Sequence, residues 1–352
     1  MKINQFIFFL LVFCSTKALT QSVEVIPFRT TGLDCDWDKS GSNRIVYSMK
    51  GDDKFYDIYL TLPDNSKDTC ITCNHPNLPN KHISNPGWHP NGKWVTAVVE
   101  KAKHPRGSAN ALPGFGAYCD IYLISANGKK AHKLVDIENT YDHGVIAPRL
   151  SPNGKKLIWT DRIVRPNFFS LKRMAGYWQI KTADLYWEKT NLNDSIPKIK
   201  NIKILQPGKK CFYECYGYSP DGNRIIFCSS MNKPSFWDQH IYTMDTSGND
   251  VKKLTDSDYN EHGCYAPDGK KIVWMTSTKS TKKGTDWWIM NVDGTNKTRL
   301  TFFNEPKDAM YAGKANWAGL VSFNAAGTMF VGGVQISLVT QEGRIVICRL
   351  KE

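Results

Sequence analysis

The chain of 352 residues lacks the short motifs that identify several large enzyme classes. It has no G-x-S-x-G nucleophile elbow, which excludes the catalytic serine turn of an α/β-hydrolase domain. It also has no P-loop and no glycine-rich dinucleotide fingerprint, so neither a nucleotide-hydrolysing site nor a Rossmann-type cofactor site is indicated. These absences predict no catalytic residues and favour a binding protein over an enzyme.

Long apolar runs are confined to the start of the chain. A lysine, the apolar segment 7–13 and small residues near the expected cleavage point predict a secretory signal peptide over residues 1–21. The apolar segment is shorter than the roughly 20 residues that a membrane-spanning helix needs. Cys14 would suit a lipoprotein signal, but Phe13 stands where such signals want a small residue. We therefore expect a periplasmic or secreted protein without a transmembrane segment, and favour simple secretion over a lipid anchor.

Arginine is scarce, and the positive charge comes mostly from lysine. The formal net charge is +13, with the lysines scattered over strand and turn positions. A nucleic-acid-binding protein would concentrate basic residues on one surface, whereas dispersed lysines serve solubility and protect sheet edges. The composition therefore predicts no nucleic-acid partner.

Ten cysteines, nine of them after residue 21, fit an exported protein in which disulfides persist. The odd number leaves at least one thiol outside any intrachain pair. Cys70-Ile-Thr-Cys73 has no second CxxC for zinc and no histidine for haem attachment, which favours a structural bond or two buried thiols over redox chemistry. Cys211 and Cys215 flank a short segment that a local disulfide would bridge, and the other pairings stay open.

The dominant feature of the chain is a unit that occurs six times. Each copy has a tight turn ending in glycine, followed by a strand rich in β-branched and aromatic residues. The clearest turns are 151–154, 219–222 and 266–269, with further copies ending at Gly92, Gly41 and Gly327. An alternating strand follows, and in most copies an Asn-Gly, Ser-Gly or Asp-Gly turn leads into a fourth strand. Self-similarity at this spacing indicates a repeat architecture.

Four antiparallel strands per unit are typical of a propeller blade. The predicted fold class is therefore all-β, a six-bladed β-propeller that occupies residues 22–352 as a single domain. The sixth unit has only three strands, while the segment 23–28 is a strand that belongs to no unit. We expect this N-terminal strand to complete the sixth blade and close the ring.

Units that read S-P-D-G-x-x-I-x-F, then D-I-Y-x-M-D-x-x-G and x-x-L-T, resemble the TolB-like six-bladed propellers with WD40-like (PD40) repeats. They also resemble the propeller half of prolyl oligopeptidases. The resemblance covers nearly all of the mature chain and implies the propeller fold. It is less specific for activity, because propellers host many functions. The family also includes propeller lyases that act on uronic-acid sugars with a metal held by histidines.

The connections of the predicted propeller differ in length between its two faces. Turns from strand one to two, and mostly from three to four, are tight, whereas the other connections are long and emerge on the opposite face. The long ones are 74–86, 101–118, 136–148, 162–181, 231–239, 278–285 and 302–320. Because binding residues tend to lie on loops held by a rigid scaffold, we predict the site at the channel mouth of this long-loop face.

Polar residues near the start of the innermost strands are expected to surround that mouth. They are Asp34, Asn85, His143, Arg149, Glu214, Glu261 and His262. Carboxylates and imidazoles bind divalent cations such as Mn, Fe or Zn, so one interpretation is a metal site with His143, His262 and Glu261 as candidate ligands. The interpretation that we favour is that these groups bind only neighbouring backbone and channel water.

The long connection of the third unit interleaves aromatic and basic residues. They are Arg162, Arg165, Phe168, Phe169, Arg173, Tyr177 and Trp178. This composition is typical of interface hot spots, and it predicts a partner surface. The alternative is a lid whose aromatic side chains are buried.

Two functions remain open at this point. The first is a monomeric binding propeller that presents its long-loop face to a protein or glycan. The alternative is a metal-dependent lyase-like enzyme with a His/Glu site at the channel mouth, in which Arg149 or Arg162 holds a substrate carboxylate. A divalent metal ion is the only cofactor that either hypothesis involves.

Overall fold

The computed structural model describes residues 22–190, 194–233, 235–280, 284–311, 313–337 and 342–351. The signal peptide predicted at 1–21 lies outside the described residues. Over these ranges the chain forms strands and one short 3₁₀ helix, Ser108–Asn110. None of the helical segments described is long and apolar enough to cross a membrane.

The strands form six four-stranded antiparallel sheets, each of them one blade. Blade one contains β2 (Cys35–Trp37), β3 (Ile45–Lys50), β4 (Tyr56–Thr61) and β5 (Thr69–Cys70). Blade two contains β6 (Ile83–Trp88), β7 (Trp94–Glu100), β8 (Cys119–Ser125) and β9 (Ala131–Val135). Blade three contains β10 (Gly144–Leu150), β11 (Lys156–Val164), β12 (Tyr177–Lys189) and β13 (Ser195–Ile204).

Blade four contains β14 (Tyr213–Tyr218), β15 (Arg224–Ser229), β16 (His240–Asp245) and β17 (Lys252–Lys253). Blade five contains β18 (Asn260–Tyr265), β19 (Lys271–Thr276), β20 (Asp286–Asn291) and β21 (Thr298–Arg299). Blade six contains β22 (Trp317–Phe323), β23 (Met329–Ser337), β24 (Glu342–Leu350) and the N-terminal strand β1 (Val23–Arg29). The predicted all-β, six-bladed propeller is confirmed.

The N-terminal strand closes the ring, as the unassigned segment 23–28 predicted. β1 pairs antiparallel with β24, from Val23 opposite Leu350 to Arg29 opposite Ile345. Phe28 on β1 is buried in a cluster that contains Trp37 of blade one and Ile345 of blade six. The strand therefore joins the first and last blades by both hydrogen bonds and apolar packing.

The tight turns explain why each innermost strand folds back on the next one. In the turn of blade three, Gly154 has φ of 69° and its N–H donates to the carbonyl of Ser151 over 2.8 Å. The turn of blade four repeats this geometry at Gly222, with φ of 76°. Glycine adopts this left-handed conformation without a steric penalty, so the repeated glycine marks the same backbone turn in each unit.

The apolar core lies between adjacent blades. The second strand of each blade packs against neighbours on both of its faces, so its apolar residues run almost without interruption, as in the Ile-Ile-Phe of β15. One cluster joins blades five and six through Trp287 and Phe323. Another joins blades four and five through Ile226 and Trp274. The ring is thus held by a series of sheet-to-sheet contacts.

Among the cysteines, Cys70 and Cys73 form a disulfide at the outer edge of blade one. The local bridge expected between Cys211 and Cys215 is wrong, because both are buried free thiols. The Cys211 sulfur lies 3.3 Å from the Ser229 hydroxyl, whereas Cys215 faces Thr160 at 3.3 Å. The two thiols therefore face different partners within blades three and four.

We predict that Phe28→Ala destabilises the whole propeller. Truncating a buried phenylalanine costs about 3 kcal/mol, and here it also loosens the contact between the first and last blades. Urea unfolding followed by tryptophan fluorescence measures the loss. Glu24→Ala is the control, because its ion pair with Arg349 is exposed and contributes about 0.5 kcal/mol at most. Equal stability of the two variants would contradict the role of β1 in closing the ring.

Candidate functional site

The innermost strands are irregular where they face the channel. Register shifts interrupt β6, β10, β14, β18 and β22. Three of these shifts contain a residue other than glycine with positive φ: Asn85 at 49°, Ala147 at 53° and His262 at 56°. Such bulges redirect side chains and are frequent beside functional sites. They bring neighbouring polar side chains together inside the channel.

Asp34 and Asn85 form a contact between blades one and two. The Asn85 side-chain amide donates to Asp34 Oδ2 over 2.5 Å, and its backbone N–H donates to the same oxygen over 3.3 Å. Burial raises the pKa of Asp34, opposed in part by the charge of Arg149 and the bonds from Asn85. Asn85 Oδ1 also accepts from the backbone N–H of Ala147 over 3.4 Å. The contact thus ties together three blades.

The second polar cluster lies between blades four and five. Ligand atoms of Glu214, Cys228 and Glu261 lie within 4.8 Å of one another, and all three residues are buried. The Tyr216 hydroxyl donates to Glu214 Oε2 over 3.3 Å, and its oxygen lies 2.8 Å from Cys228 Sγ. Tyr259 donates to Glu261. Burial raises the pKa of both carboxyls, and for Glu214 repulsion from Glu261 adds to that effect. We call these two carboxyls the glutamate pair.

His262 lies beside this pair with a neutral ring. Burial, reinforced by the charge of Arg149, lowers the pKa of His262 to about 3. The imidazole packs edge-on against Tyr216 with ring centroids 5.4 Å apart. Its Nδ1 atom is buried and has no hydrogen-bond partner among the described residues.

His143 does not join His262, although both are candidate ligands from the sequence. His143 lies before β10, where its Nδ1 is 2.8 Å from Thr140 Oγ1 and 3.4 Å from Glu138 Oε2. Over the described ranges, the side-chain groups able to hold a metal ion include neither histidine, so His143, His262 and Glu261 do not converge on one centre. The backbone explains the separation, because His262 belongs to a strand bulge and His143 to a loop.

The remaining carboxylate cluster does not fit a manganese site of the oxygen-and-imidazole type. Its third member is a thiol, and burial raises the pKa of Cys228 well above its ordinary value, so the sulfur keeps its proton. Tyrosine hydroxyls already donate to Glu214 and Glu261. Bound protons and hydrogen bonds from tyrosine therefore already satisfy the two carboxyl groups and the thiol of this cluster, without a metal ion.

A cavity of about 430 Å³ opens at the end of the channel that the tight turns surround. Its rim includes one proline from each of four such turns: Pro90, Pro152, Pro220 and Pro267. Arg149 is the one predicted ring residue that lines it. The cavity thus opens on the face opposite to the predicted long-loop mouth.

Aromatic rings cover the long-loop ends of several innermost strands. Phe236 packs against Phe212 at 5.7 Å and Tyr259 at 5.9 Å between ring centroids. Trp237 packs against Tyr259 at 5.6 Å, and Tyr259 packs against Trp317 at 6.3 Å. These rings extend over blades four to six. Because Tyr259 also contacts Glu261, these rings shield the glutamate pair from solvent on the long-loop face.

Two residues predicted for the partner surface are buried instead. Arg162 is 1% exposed and donates to the carbonyls of Phe115, Tyr141 and His143 over 3.0–3.2 Å. Trp178 is 2% exposed and belongs to a core cluster. The cause is that β11 and β12 extend further than predicted and pair Arg162 with Trp178. Both side chains are therefore structural.

The rest of the insertion forms an exposed loop. Phe169 is fully exposed, and Phe168, Leu171 and Trp237 are also large exposed apolar side chains. We call these four residues the insertion patch. The loop is held by backbone hydrogen bonds, among them Phe236 N–H to the Leu171 carbonyl over 2.9 Å, which joins the blade-three and blade-four loops. Arg165 is exposed beside it, and Arg173 lies over the Tyr177 ring at 5.9 Å.

Three residues of the channel cluster were not singled out from the sequence. Tyr259 is two positions before Glu261, and Tyr216 is two positions after Glu214. Tyr259 precedes β18 and Tyr216 lies at the register shift of β14, so simple strand alternation does not predict either contact. Cys228 comes from the middle of β15, and nothing in its sequence context distinguishes it from a core cysteine.

No protein-family model and no curated protein matches the chain. Solved structures do: TolB from Acinetobacter baumannii has a TM-score of 0.54 at 19% identity over 88% of this chain and 64% of that one. A putative TolB from Agrobacterium tumefaciens has a TM-score of 0.52 at 14% identity over 94% and 99%. The chain folds as a TolB-like six-bladed propeller.

The TolB-like propeller is also similar to an enzyme structure, an oligogalacturonate lyase in complex with manganese. The TM-score is 0.53 at 11% identity, over 95% of each chain. At identities this low, both kinds of likeness show the fold alone. The chain spans 64% of the length of the Acinetobacter TolB, so any activity of these proteins is a proposal for the present one.

We predict that the glutamate pair makes the stability of the TolB-like propeller fall with rising pH. Burial raises the folded pKa of both carboxyls above the ordinary 4.5, so their contribution is complete below that pH and is lost as the pH rises through the raised values. The double variant Glu214→Gln, Glu261→Gln should show a smaller decline in the free energy of unfolding between about pH 5 and pH 8. Urea unfolding across that range measures it.

Glu188→Gln is the matched control, because Glu188 is exposed and paired with Lys198. This variant should retain the wild-type pH dependence. His262, whose lowered pKa has the opposite effect on the slope, is present in all three proteins and cancels from the comparison. Equal slopes for wild type and the double variant would contradict the prediction.

Proposed function

We propose that the protein is a secreted or periplasmic binding propeller that docks a protein partner on its long-loop face. The observation that carries this proposal is the insertion patch: Phe168, Phe169 and Leu171 are exposed on the blade-three loop, and Trp237 is exposed on the blade-four loop that a backbone hydrogen bond joins to it. Contiguous exposed apolar side chains on a soluble domain are typical of interaction sites. Aromatic residues beside arginine are the common composition of interface hot spots.

The charges around the patch define the partner further. Arg165 and Arg173 lie on the same loop as the exposed phenylalanines, and Lys172 is exposed between them. The full chain carries a formal net charge of +13. A partner surface with apolar side chains surrounded by aspartate and glutamate complements this arrangement, since opposite potentials increase association rates.

A protein partner suits the patch better than a glycan. Sugar binding requires polar side chains that hydrogen-bond hydroxyls beside the stacking ring. In this loop the side-chain oxygen of Asn167 already accepts from the backbone N–H of Phe169 over 3.1 Å. The aliphatic Leu171 beside the aromatic rings also favours an apolar protein surface.

The lyase-like alternative receives no specific support from the geometry. His143 and His262 are apart, Arg162 is buried against backbone carbonyls, and the glutamate pair is compensated by tyrosine hydroxyls. The manganese ion is a property of the oligogalacturonate lyase structure, and a likeness of fold does not transfer it to this chain.

Site-specific photo-crosslinking in the producing cells tests the proposal. With a photoreactive residue at Phe169, we expect one discrete adduct with a single partner protein. With the same residue at Val251, which is also exposed but lies at a turn of the opposite face, we expect no such adduct. The double variant Phe168→Ser, Phe169→Ser should weaken binding of the purified partner about tenfold or more, because hot-spot truncation costs about 2 kcal/mol.

Adducts of equal yield from positions 169 and 251 would contradict the proposal. So would unchanged affinity of the double variant. A partner that is released by glycosidase treatment would shift the assignment to a glycan.

A further inference from the structure

We propose that the cavity at the tight-turn end of the channel binds a small organic monocarboxylate with a planar ring. Arg149 would hold the carboxylate, and the tyrosine and tryptophan side chains of the walls would contact the ring. This site lies on the face opposite to the insertion patch and is independent of the partner that the patch binds.

Arg149 is the central observation. It belongs to β10 and lines the cavity. Its guanidinium makes one side-chain hydrogen bond, from Nη1 to the Pro148 carbonyl over 2.9 Å, and no ion pair with any described residue. Its other side-chain nitrogen atoms have no hydrogen-bond partner in the described part of the chain but are not buried. These N–H donors are therefore open to the cavity. An arginine fork with free donors binds a carboxylate in a bidentate manner.

The neighbouring blades leave space for this side chain. At the same level of the ring, β6 has Gly87 and β14 has Gly217. A Cβ atom on Gly87 would lie 3.1 Å from Arg149 Nη1, and one on Gly217 would lie 4.0 Å from Arg149 Cβ and Cγ. Glycine on both sides thus lets the arginine side chain extend into the channel rather than pack against a wall.

The charges that line the cavity favour a monoanion. Lys39 Nζ lies 3.5 Å from Asp36 Oδ1, so these two charges compensate each other. Asp36 also accepts from the backbone N–H of Trp88 over 2.6 Å and from the Ser322 hydroxyl over 2.5 Å. Among the charged residues of the lining, Arg149 is therefore the one without an ion pair. Its charge also acts on Asp34 and Glu214, but neither carboxyl belongs to the lining, so a ligand with one negative charge can pair with the guanidinium. A dianion such as phosphate would meet the Asp36 carboxylate as well.

The size and walls of the cavity indicate the rest of the ligand. Its volume of about 430 Å³ falls within the range of roughly 300–1,000 Å³ of small-molecule sites. Five aromatic residues belong to the lining, namely Trp37, Trp88, Tyr216, Tyr218 and Tyr265. Trp37 is fully buried, so the other four supply the aromatic wall. Aromatic walls and a rim of prolines contact a flat, largely apolar body, while Arg149 orients the charged end.

Titration of the purified protein with benzoate tests the inference, with benzamide and inorganic phosphate as comparison probes. We expect saturable binding of one benzoate per chain with a Kd of about 1 mM or lower, and about tenfold weaker binding of the other two probes. Calorimetry measures the affinity, and quenching of tryptophan fluorescence reports Trp88, the tryptophan of the lining that is not fully buried. Arg149→Gln should raise the Kd about tenfold or more, with Arg149→Lys between the two.

Arg349→Gln is the matched control, because Arg349 is exposed on β24 and paired with Glu24. It should bind benzoate as the wild type does, and so should Phe168→Ser, Phe169→Ser, which separates this site from the partner surface. Thermal unfolding verifies that each variant is folded. If Arg149→Gln does not fold, the comparison uses Arg149→Lys instead. Unchanged binding to the Arg149 variants, equal binding of phosphate, or no saturation by about 10 mM benzoate would overturn the inference.

Discussion

The pairing of β1 with β24 is the contact on which the rest of the molecule depends. Six blades in a ring can bury both faces of every sheet only if the last blade meets the first. Here the N-terminal strand completes the last blade and packs on the first, and the innermost strands of the two blades also meet, where the Ser322 hydroxyl donates to Asp36. The hydrogen bonds of the N-terminal strand complete a four-stranded blade, and Phe28 adds apolar packing to Trp37 of blade one. Without closure, the facing sides of blades one and six would be exposed to water.

Closure also determines the chemistry of the channel. The innermost strands converge around one axis, so side chains from different blades meet there although they are far apart in the sequence. Asp34 meets Asn85, and Glu214 meets Glu261. The bulges at Asn85 and His262 aim these groups inward, and burial then raises the pKa of the carboxyls. The result is a polar interior with its hydrogen bonds supplied by tyrosine hydroxyls.

The two ends of this channel differ in what they offer to other molecules. At the long-loop end, the rings of Phe236, Tyr259 and Trp317 pack over the strand ends, while the insertion patch stands exposed beside them. At the tight-turn end, a cavity reaches Arg149 between short turns. A large, flat contact suits the first end and a small ligand suits the second, because loops supply area whereas a ring of short turns supplies a concave opening.

Local sequence determined the architecture, because a propeller blade is built from neighbours in the chain. The glycine turns, the alternating strands and the unassigned segment 23–28 together predicted six blades and the closing strand. Tertiary structure alone decided the site. The extension of β11 and β12 buried Arg162 and Trp178, and the aromatic cover at one end left the cavity at the other. Channel contacts such as that of Cys228 with Glu214 and Glu261 join residues from different strands and blades, and no local pattern records distances of that kind.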